Sequence, residues 1–326
     1  MAPSLFQPPS HLSPAEALQL SQQAPSVLKS SPSSISSSPF VSLFSAPESG
    51  ELWVKYENLL LSCLRTGDET SAHACLERLA NRFGDDNEKI MGLKGLLKEA
   101  AAENPSQLEK VLQEYDAILK ENDTNIPITK RRIALLRSLG RTADAVTACI
   151  ALLDFSPTDA EAWSELSDLY FSQGMYAQAI YALEEVLVLT PNAWNIHARL
   201  GELEYMAATA PGATENGTLR YLVEAMKRFS RSIELCDDYL RGYYGLKLVT
   251  SRLLKEPSKS ARQLDADDFA VPDTATIQRL SELATKKLSE IVRRNTAQEP
   301  RWRGYEQSEV SAARELLARE TADVVR

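Results

Sequence analysis

The chain has 326 residues, of which 44% are hydrophobic and 25% are charged, and this composition excludes a wholly disordered or membrane-embedded chain because it can bury a sizeable core. Its formal net charge is -9 at pH 7. Binding to nucleic acid is not expected, because that affinity depends on clustered lysine and arginine residues that displace counterions.

The first fifty residues form a Ser/Pro-rich segment that differs from the rest of the chain. The run Ser30–Pro39 has too few apolar residues to offset the entropy of ordering, which predicts a flexible linker. Before it, Ser13, Pro14 and Glu16 have the spacing of a capping box with proline at the first helical position. This pattern predicts a short helix that continues to about Leu28.

Residues 51–256 are predicted to form a repeat array, and its clearest unit is Ala160–Pro191. Apolar and small residues recur in this unit at characteristic spacings: Trp163, Leu166, Tyr170, Gly174, Ala179, Leu183 and Pro191. The first three give one helix an apolar face, the glycine permits a tight turn, and the alanine lets a second helix pack closely. The stretch resembles a tetratricopeptide repeat, a helical hairpin that needs stacked neighbours because it cannot bury its apolar face alone.

Neighbouring units follow at the 34-residue period of such repeats. Gly140, Ala145 and Pro157 each precede their counterparts in the central unit by that period. Apolar patterns indicate two more units upstream, and a fifth unit downstream whose hairpin loop is predicted over Ala208–Thr218. A sixth helix pair begins at Tyr239 without a clear consensus.

The C-terminal part of the chain is predicted in three pieces. Residues 257–273 are polar and predict a loop, residues 274–295 have one apolar face and predict a capping helix, and residues 296–326 form a charged tail with a weak helix. The predicted fold is all-α, a tetratricopeptide-repeat solenoid of about five to six helical hairpins with a C-terminal capping helix.

Particular runs of residues extend the resemblance to one family. The run KRRIALLR at Lys130–Arg137, the central unit, and YLRGYYGLKL at Tyr239–Leu248 resemble subunit 2 of the endoplasmic reticulum membrane protein complex. That resemblance implies a non-catalytic scaffold without cofactors, associated peripherally with the cytosolic face of the endoplasmic reticulum membrane. Its implied partners are other subunits of the complex, both integral and soluble. Its implied role is to support the insertion of tail-anchored and multi-pass membrane proteins.

Eight residues are predicted to line a partner-binding groove, because in such repeats the first helix of each hairpin forms the concave surface. They are Lys130, Arg137, Glu161, Asp168, Phe171, Glu202, Tyr205 and Met206. Charges of both signs beside exposed aromatic side chains suit a segment of polypeptide better than a polyphosphate. For any single charge a solvated helix surface is the simpler interpretation, so the prediction depends on the set.

The alternative is a soluble co-chaperone or peptide-binding adaptor with a carboxylate clamp. Such domains require cations or amides at positions that Glu165 and Asp168 occupy here. Lys130 and Arg131 remain as cations but lack the companion residues of a clamp. The sequence therefore favours the scaffold over the adaptor.

Neither an enzyme nor a metal site is expected. A glycine-rich phosphate loop, an HExxH motif and a GxSxG motif are all missing from the sequence. The four cysteines contain no CxxC pair and are interpreted as small buried residues in a reducing compartment: Cys63, Cys75, Cys149 and Cys236.

A cytosolic protein without a transmembrane segment is expected. No cationic and apolar leader opens the sequence. The longest apolar runs, such as Ala148–Leu153, are far too short to span a bilayer. Any membrane association is therefore expected to depend on partners.

Overall fold

The computed structural model describes residues 4–6, 12–30, 50–212, 214–255, 271–297, 299 and 305–324. The regular secondary structure in these ranges is helical: α1 (Pro14–Ser21), α2 (Ala24–Ser30), α3 (Gly50–Thr66), α4 (Glu69–Phe83), α5 (Glu88–Ala100), α6 (Pro105–Glu121), α7 (Ile126–Ser138), α8 (Thr142–Phe155), α9 (Ala160–Ser172), α10 (Tyr176–Leu189), α11 (Trp194–Thr209), α12 (Glu215–Leu235), α13 (Leu240–Lys255), α14 (Thr274–Ala297) and α15 (Gln307–Val324). The predicted all-α class of consecutive helical hairpins is confirmed. Residues 31–39 of the predicted linker and 257–270 of the predicted loop lie outside the described ranges.

The chain divides into two compact units, Met1–Leu152 and Leu153–Arg326. The first contains α1 to α7 and most of α8, and the second contains α9 to α15. Among the helices of the described ranges, none has both the length and the apolar character needed to cross a bilayer.

The N-terminal segment of the first unit packs against the first hairpin. The predicted capping box is present, since the Ser13 hydroxyl accepts a hydrogen bond from the Glu16 amide and Glu16 Oε2 accepts one from the Ser13 amide at 2.9 Å. The single predicted helix is instead divided into α1 and α2, because Pro25 has no amide hydrogen to continue the helical ladder. Leu12 and Leu20 are buried in the same apolar cluster as side chains of α3 and α4.

Polar side chains of the first hairpin hold this segment by its backbone. Asn58 Nδ2 donates a hydrogen bond to the Leu5 carbonyl at 2.6 Å, and Arg78 Nη2 donates one to the Leu28 carbonyl at 2.7 Å. Because backbone carbonyls removed from water need partners, these contacts make the segment an integral part of the first unit.

The 34-residue period appears in the backbone as well as in the sequence. Gly140 and Gly174 both adopt a positive φ, 75° and 71°, which glycine adopts without the penalty that other residues incur. Ala145 and Ala179 are fully buried, so the second helix of each hairpin approaches the first closely. The hydroxyl of Ser167 donates to the Ala179 carbonyl at 2.8 Å and links α9 to α10.

Trp163 is less buried than the repeat pattern predicts. It is half-buried, its indole Nε1 donates to the Pro157 carbonyl at 2.9 Å, and its ring meets Tyr181 edge-on at 6.2 Å. The buried face of α9 includes Leu166 and Leu169 instead. Trp163 therefore stabilises the entry to the hairpin, and its truncation removes less buried surface than the motif predicts.

The ring of Phe229 on α12 occupies the space between two glycines of the second unit. A Cβ atom at Gly245 on α13 would lie far inside van der Waals contact of that ring, and one at Gly201 on α11 would lie 3.0 Å from it. Phe229 is 4% exposed. These two glycines therefore allow α11 and α13 to pack closely against the same aromatic side chain.

The loop of the fifth hairpin is shorter than predicted. Helix α11 continues to Thr209 and α12 begins at Glu215, so both ends of the predicted Ala208–Thr218 loop are helical. The reason is a cap at Thr214, whose hydroxyl accepts a hydrogen bond from the Gly217 amide at 3.2 Å.

Helix α15, which lies in the charged tail, packs against α14 in the second unit. Val310 and Ala313 are fully buried in the apolar cluster of this unit. The Tyr305 hydroxyl accepts a hydrogen bond from the Leu240 amide at 3.1 Å and donates one to the Asp238 carbonyl. Helix α14 pairs with α13, and α15 follows as one more helix added to the sixth hairpin.

Candidate partner-binding site

The first unit contains two of the predicted groove residues, Lys130 and Arg137, both on α7. Lys130 is half-buried and Arg137 is exposed. Beside them, the Arg131 guanidinium donates to both carboxylate oxygens of Glu99, with the Nε to Oε1 distance at 3.0 Å, and the Tyr115 hydroxyl donates to the same Oε1 at 2.5 Å. Arg131 is thus paired within the unit. It is therefore not available as one of the cations that a carboxylate clamp requires.

Gly95 makes this network possible. A Cβ atom at this position would collide with the hydroxyl of Tyr115. Burial raises the pKa of the Tyr115 phenol, and its hydrogen bond to Glu99 raises the pKa further. The phenol therefore keeps its proton and acts as a donor to the carboxylate.

In the second unit, three predicted groove residues converge on Arg199. Its Nη2 donates to Asp168 Oδ1 at 3.0 Å and its Nη1 donates to Glu202 Oε2 at 2.8 Å. Its guanidinium carbon lies 4.9 Å from the centroid of the Phe171 ring, which is a cation–π contact. Arg199 thus joins α9 to α11 at this surface.

The sequence analysis did not select Arg199. The residue lies on α11 between the helix positions chosen as concave, so the repeat pattern alone passed over it. A local signal was available in the opposite charge of Glu202 three residues later, because residues at this spacing are neighbours on a helix surface. The contact with Asp168, 31 residues away, has no local signal.

A pocket of about 400 Å³ opens beside Arg199 between α11, α13 and α15. The residues that line it on α11 are Asn195, Ala198, Arg199, Glu202, Tyr205 and Met206. The remaining apolar lining comes mainly from Phe229, Tyr239, Tyr244 and Leu248, and the ion pair between Arg241 Nε and Glu309 Oε1, 2.8 Å apart, closes one side.

The pocket combines an aromatic lining with charged groups at its edge. Such an arrangement can bury one large apolar side chain of a bound polypeptide while the charged groups engage its polar atoms. The wall that α15 contributes, through Glu309 and Ala312, belongs to a part of the chain that the sequence analysis left out of the site.

The structure distributes the remaining predicted residues unevenly. Tyr205 and Met206 line the pocket. Glu161 is exposed in the first turn of α9 and is not part of the lining. Lys130 and Arg137 belong to the other unit. Three predicted residues of the fifth repeat, Glu202, Tyr205 and Met206, thus lie together at one pocket.

A buried carboxyl group lies on the same helix as the pocket wall. Glu204 is 3% exposed, and burial raises its pKa to about 8, although nearby Arg228 acts in the opposite direction. Arg228 Nε lies 3.7 Å from Glu204 Oε1, and its Nη2 donates to Glu184 at 2.6 Å. Burial thus favours the neutral form of this carboxyl group.

Across the described ranges, no group of histidine, cysteine, aspartate or glutamate side chains is arranged to hold a metal ion.

Comparison with known proteins identifies similar chains. The family model described as the EMC2 TPR-like repeat domain matches residues 85–217. The TPR repeat protein oca3 of Schizosaccharomyces pombe is 32% identical over 244 residues, which are 73% of this chain and 82% of that protein. The ER membrane protein complex subunit 2 of Xenopus tropicalis is 28% identical over 241 residues, which are 74% of this chain and 76% of that protein. Among solved structures, the C-terminal part of a TPR repeat-containing protein from Cytophaga hutchinsonii has a TM-score of 0.47 and 13% identity, covering 92% of this chain and 99% of that one.

Proposed function

This chain belongs to the family of subunit 2 of the ER membrane protein complex, and from that membership we propose that it is a non-catalytic scaffold subunit of such a complex. In this proposal it associates peripherally with the cytosolic face of the endoplasmic reticulum membrane through integral and soluble partner subunits. Its role is to hold those subunits together, and thereby to support the insertion of tail-anchored and multi-pass membrane proteins.

The pocket between α11, α13 and α15 is the observation that carries the scaffold proposal. Its volume of about 400 Å³ is large enough for an aromatic side chain and falls within the range of small binding pockets. Arg199 and Glu202 border it with opposite charges, and Tyr205 and Met206 offer apolar surface. A partner segment inserts an apolar side chain into the pocket, and its polar groups pair with Arg199 and Glu202 at the edge.

The proposal assigns binding rather than stability to Phe171 and Tyr205. Phe171 supports the guanidinium of Arg199 from one side, and Tyr205 lines the pocket. Both side chains are half-buried. Their replacement therefore changes the surface that a partner meets while leaving the fully buried core of the unit in place.

The test is a pull-down of the tagged full chain from membranes solubilised in mild detergent, with partners quantified by mass spectrometry. We expect the wild type to recover integral subunits at fixed stoichiometry, and the double variant Phe171→Ala and Tyr205→Ala to lose them at least tenfold. The matched control is Leu254→Ala with Leu283→Ala, two apolar side chains 39% and 41% exposed on α13 and α14. Circular dichroism verifies that both double variants are folded.

Two results contradict the proposal. Retention of every partner by the folded Phe171 and Tyr205 variant removes the pocket from the interface. Recovery of soluble chaperones alone, without any integral subunit, contradicts the membership of a membrane complex and supports the soluble adaptor instead.

A further inference from the structure

The outward side of α10 carries large apolar side chains in contact with solvent. Tyr181 is 57% exposed and Val188 is 73% exposed, and their seven-residue separation places them on the same side of the helix. Trp163 meets the Tyr181 ring edge-on and extends this surface onto α9. Trp163, Tyr181, Glu185 and Val188 are termed the α10 face below.

The α10 face has a carboxylate beside its apolar side chains. From Leu153 to Ala198 the sequence contains no lysine or arginine, and Glu185 follows Tyr181 by four residues on the same side of α10. Two other carboxylates of this stretch already pair with arginines of other helices, Asp168 with Arg199 and Glu184 with Arg228. A hydrogen bond from the Tyr181 hydroxyl to Glu185 raises the pKa of Tyr181, which places that carboxylate beside the apolar side chains. The face is therefore an apolar stripe with the carboxylate of Glu185 beside it.

We propose that the α10 face docks an amphipathic helix of a partner protein, whose apolar stripe covers Tyr181 and Val188 and whose flanking lysine or arginine residue meets the carboxylate of Glu185. Helix-to-helix docking of this kind uses apolar side chains at three- and four-residue spacing. The complementary charges supply orientation and rate of association.

The charge of the face distinguishes this occupant from two others. A second copy of the chain paired through the same face brings Glu185 towards its own equivalent, which is repulsive. A cytosolic membrane surface carries negative charge and repels carboxylates in the same way. A basic amphipathic helix is the occupant that matches both the apolar stripe and the carboxylate of Glu185.

The binding test uses purified full chain and two synthetic 18-residue helical peptides as probes. Both peptides have the same leucine stripe, but one has lysine at its flanks and the other has glutamate. We expect the lysine peptide to bind at least tenfold more tightly, measured by fluorescence anisotropy. The variant Glu185→Lys should bind the lysine peptide several-fold more weakly than the wild type does, and the glutamate peptide more tightly.

The apolar contribution is tested separately with matched pairs of exposed residues. Tyr181→Ser with Val188→Ser should weaken the lysine peptide at least tenfold, whereas Leu254→Ser with Leu283→Ser should leave its affinity unchanged. Because all four side chains are exposed, the variants are expected to fold, and circular dichroism checks this.

Three outcomes overturn the proposal. In the first, the wild type binds both peptides with equal affinity. In the second, the two serine double variants lose the same amount of affinity for the lysine peptide. In the third, sedimentation velocity shows a dimer of the wild type that is absent in the Tyr181 and Val188 variant. The Phe171→Ala and Tyr205→Ala variant should bind the lysine peptide as the wild type does. The α10 face and the pocket can therefore fail independently of one another.

Discussion

The guanidinium carbon of Arg199 lies 4.9 Å from the centroid of the Phe171 ring, while the same guanidinium donates hydrogen bonds to Asp168 and Glu202. These contacts come from two consecutive hairpins, because Phe171 and Asp168 lie on α9 and Arg199 lies on α11. One partly exposed side chain therefore sets the position of the aromatic ring relative to the pocket wall.

Arg199→Lys is expected to weaken partner binding at least threefold, and Arg199→Ala more. A lysine ammonium cannot stack on Phe171 and reach both carboxylates with a planar fork. The free energy of unfolding should fall by only about 0.5–1 kcal/mol, because pairs of this exposure are screened by water. Partner retention in the pull-down and urea unfolding measure the two effects. Arg220→Lys, at an exposed position on α12, is the control, and wild-type retention by Arg199→Lys would contradict the assignment.

Gly245→Ala is expected to destabilise the protein by about 1–3 kcal/mol or more, as overpacking does. The added methyl group collides with the ring of Phe229. Combining it with Phe229→Leu should recover part of the loss, because the two positions are in contact. Thermal unfolding measures each variant. The matched control is Gly50→Ala at the start of α3, where a Cβ atom meets nothing within 4 Å.

Glu204→Gln is expected to stabilise the protein relative to the wild type more at pH 8 than at pH 5. Burial raises the folded pKa of Glu204 from 4.5 to about 8. Between these values the unfolded state releases the proton and the folded state retains it, so wild-type stability falls as pH rises. Glutamine does not titrate, and the gain at pH 8 should reach at least ~1 kcal/mol.

Urea unfolding at the two pH values measures the effect at Glu204. Glu202→Gln, at an exposed position on the same helix, is the control for the same substitution outside the core. A difference between Glu204→Gln and the wild type that stays constant with pH would show that Glu204 is ionised in both states.

Val310→Asp is expected to detach α15 from the second unit. Val310 is fully buried against this unit, and an unpaired carboxylate there is strongly disfavoured. Amide hydrogen exchange in α15 should accelerate at least tenfold, and partner binding at the pocket should fall because one wall is lost. Ser308→Asp, at an exposed position of the same helix, should preserve both. Unchanged protection in Val310→Asp would mean that α15 is held by other contacts.

The sequence by itself determined the architecture of the repeats. The recurrence of Gly140 with Gly174 and of Ala145 with Ala179 predicted turns and close helix contacts, because these properties depend on the residue and its immediate neighbours. The same period placed Tyr205 on the side of α11 that the pocket uses. Family membership followed from longer runs of matching residues.

Only the tertiary structure decided how the second unit builds its site. Arg199 meets Asp168 across 31 residues, and Arg241 meets Glu309 across 68, so no local period encodes either pair. The high pKa of Glu204 likewise depends on burial by neighbouring helices. The sequence of an amphipathic helix does not indicate that one of its charged residues is buried. Repeat spacing specifies each hairpin, whereas contacts between hairpins depend on side chains that meet only once the helices have packed.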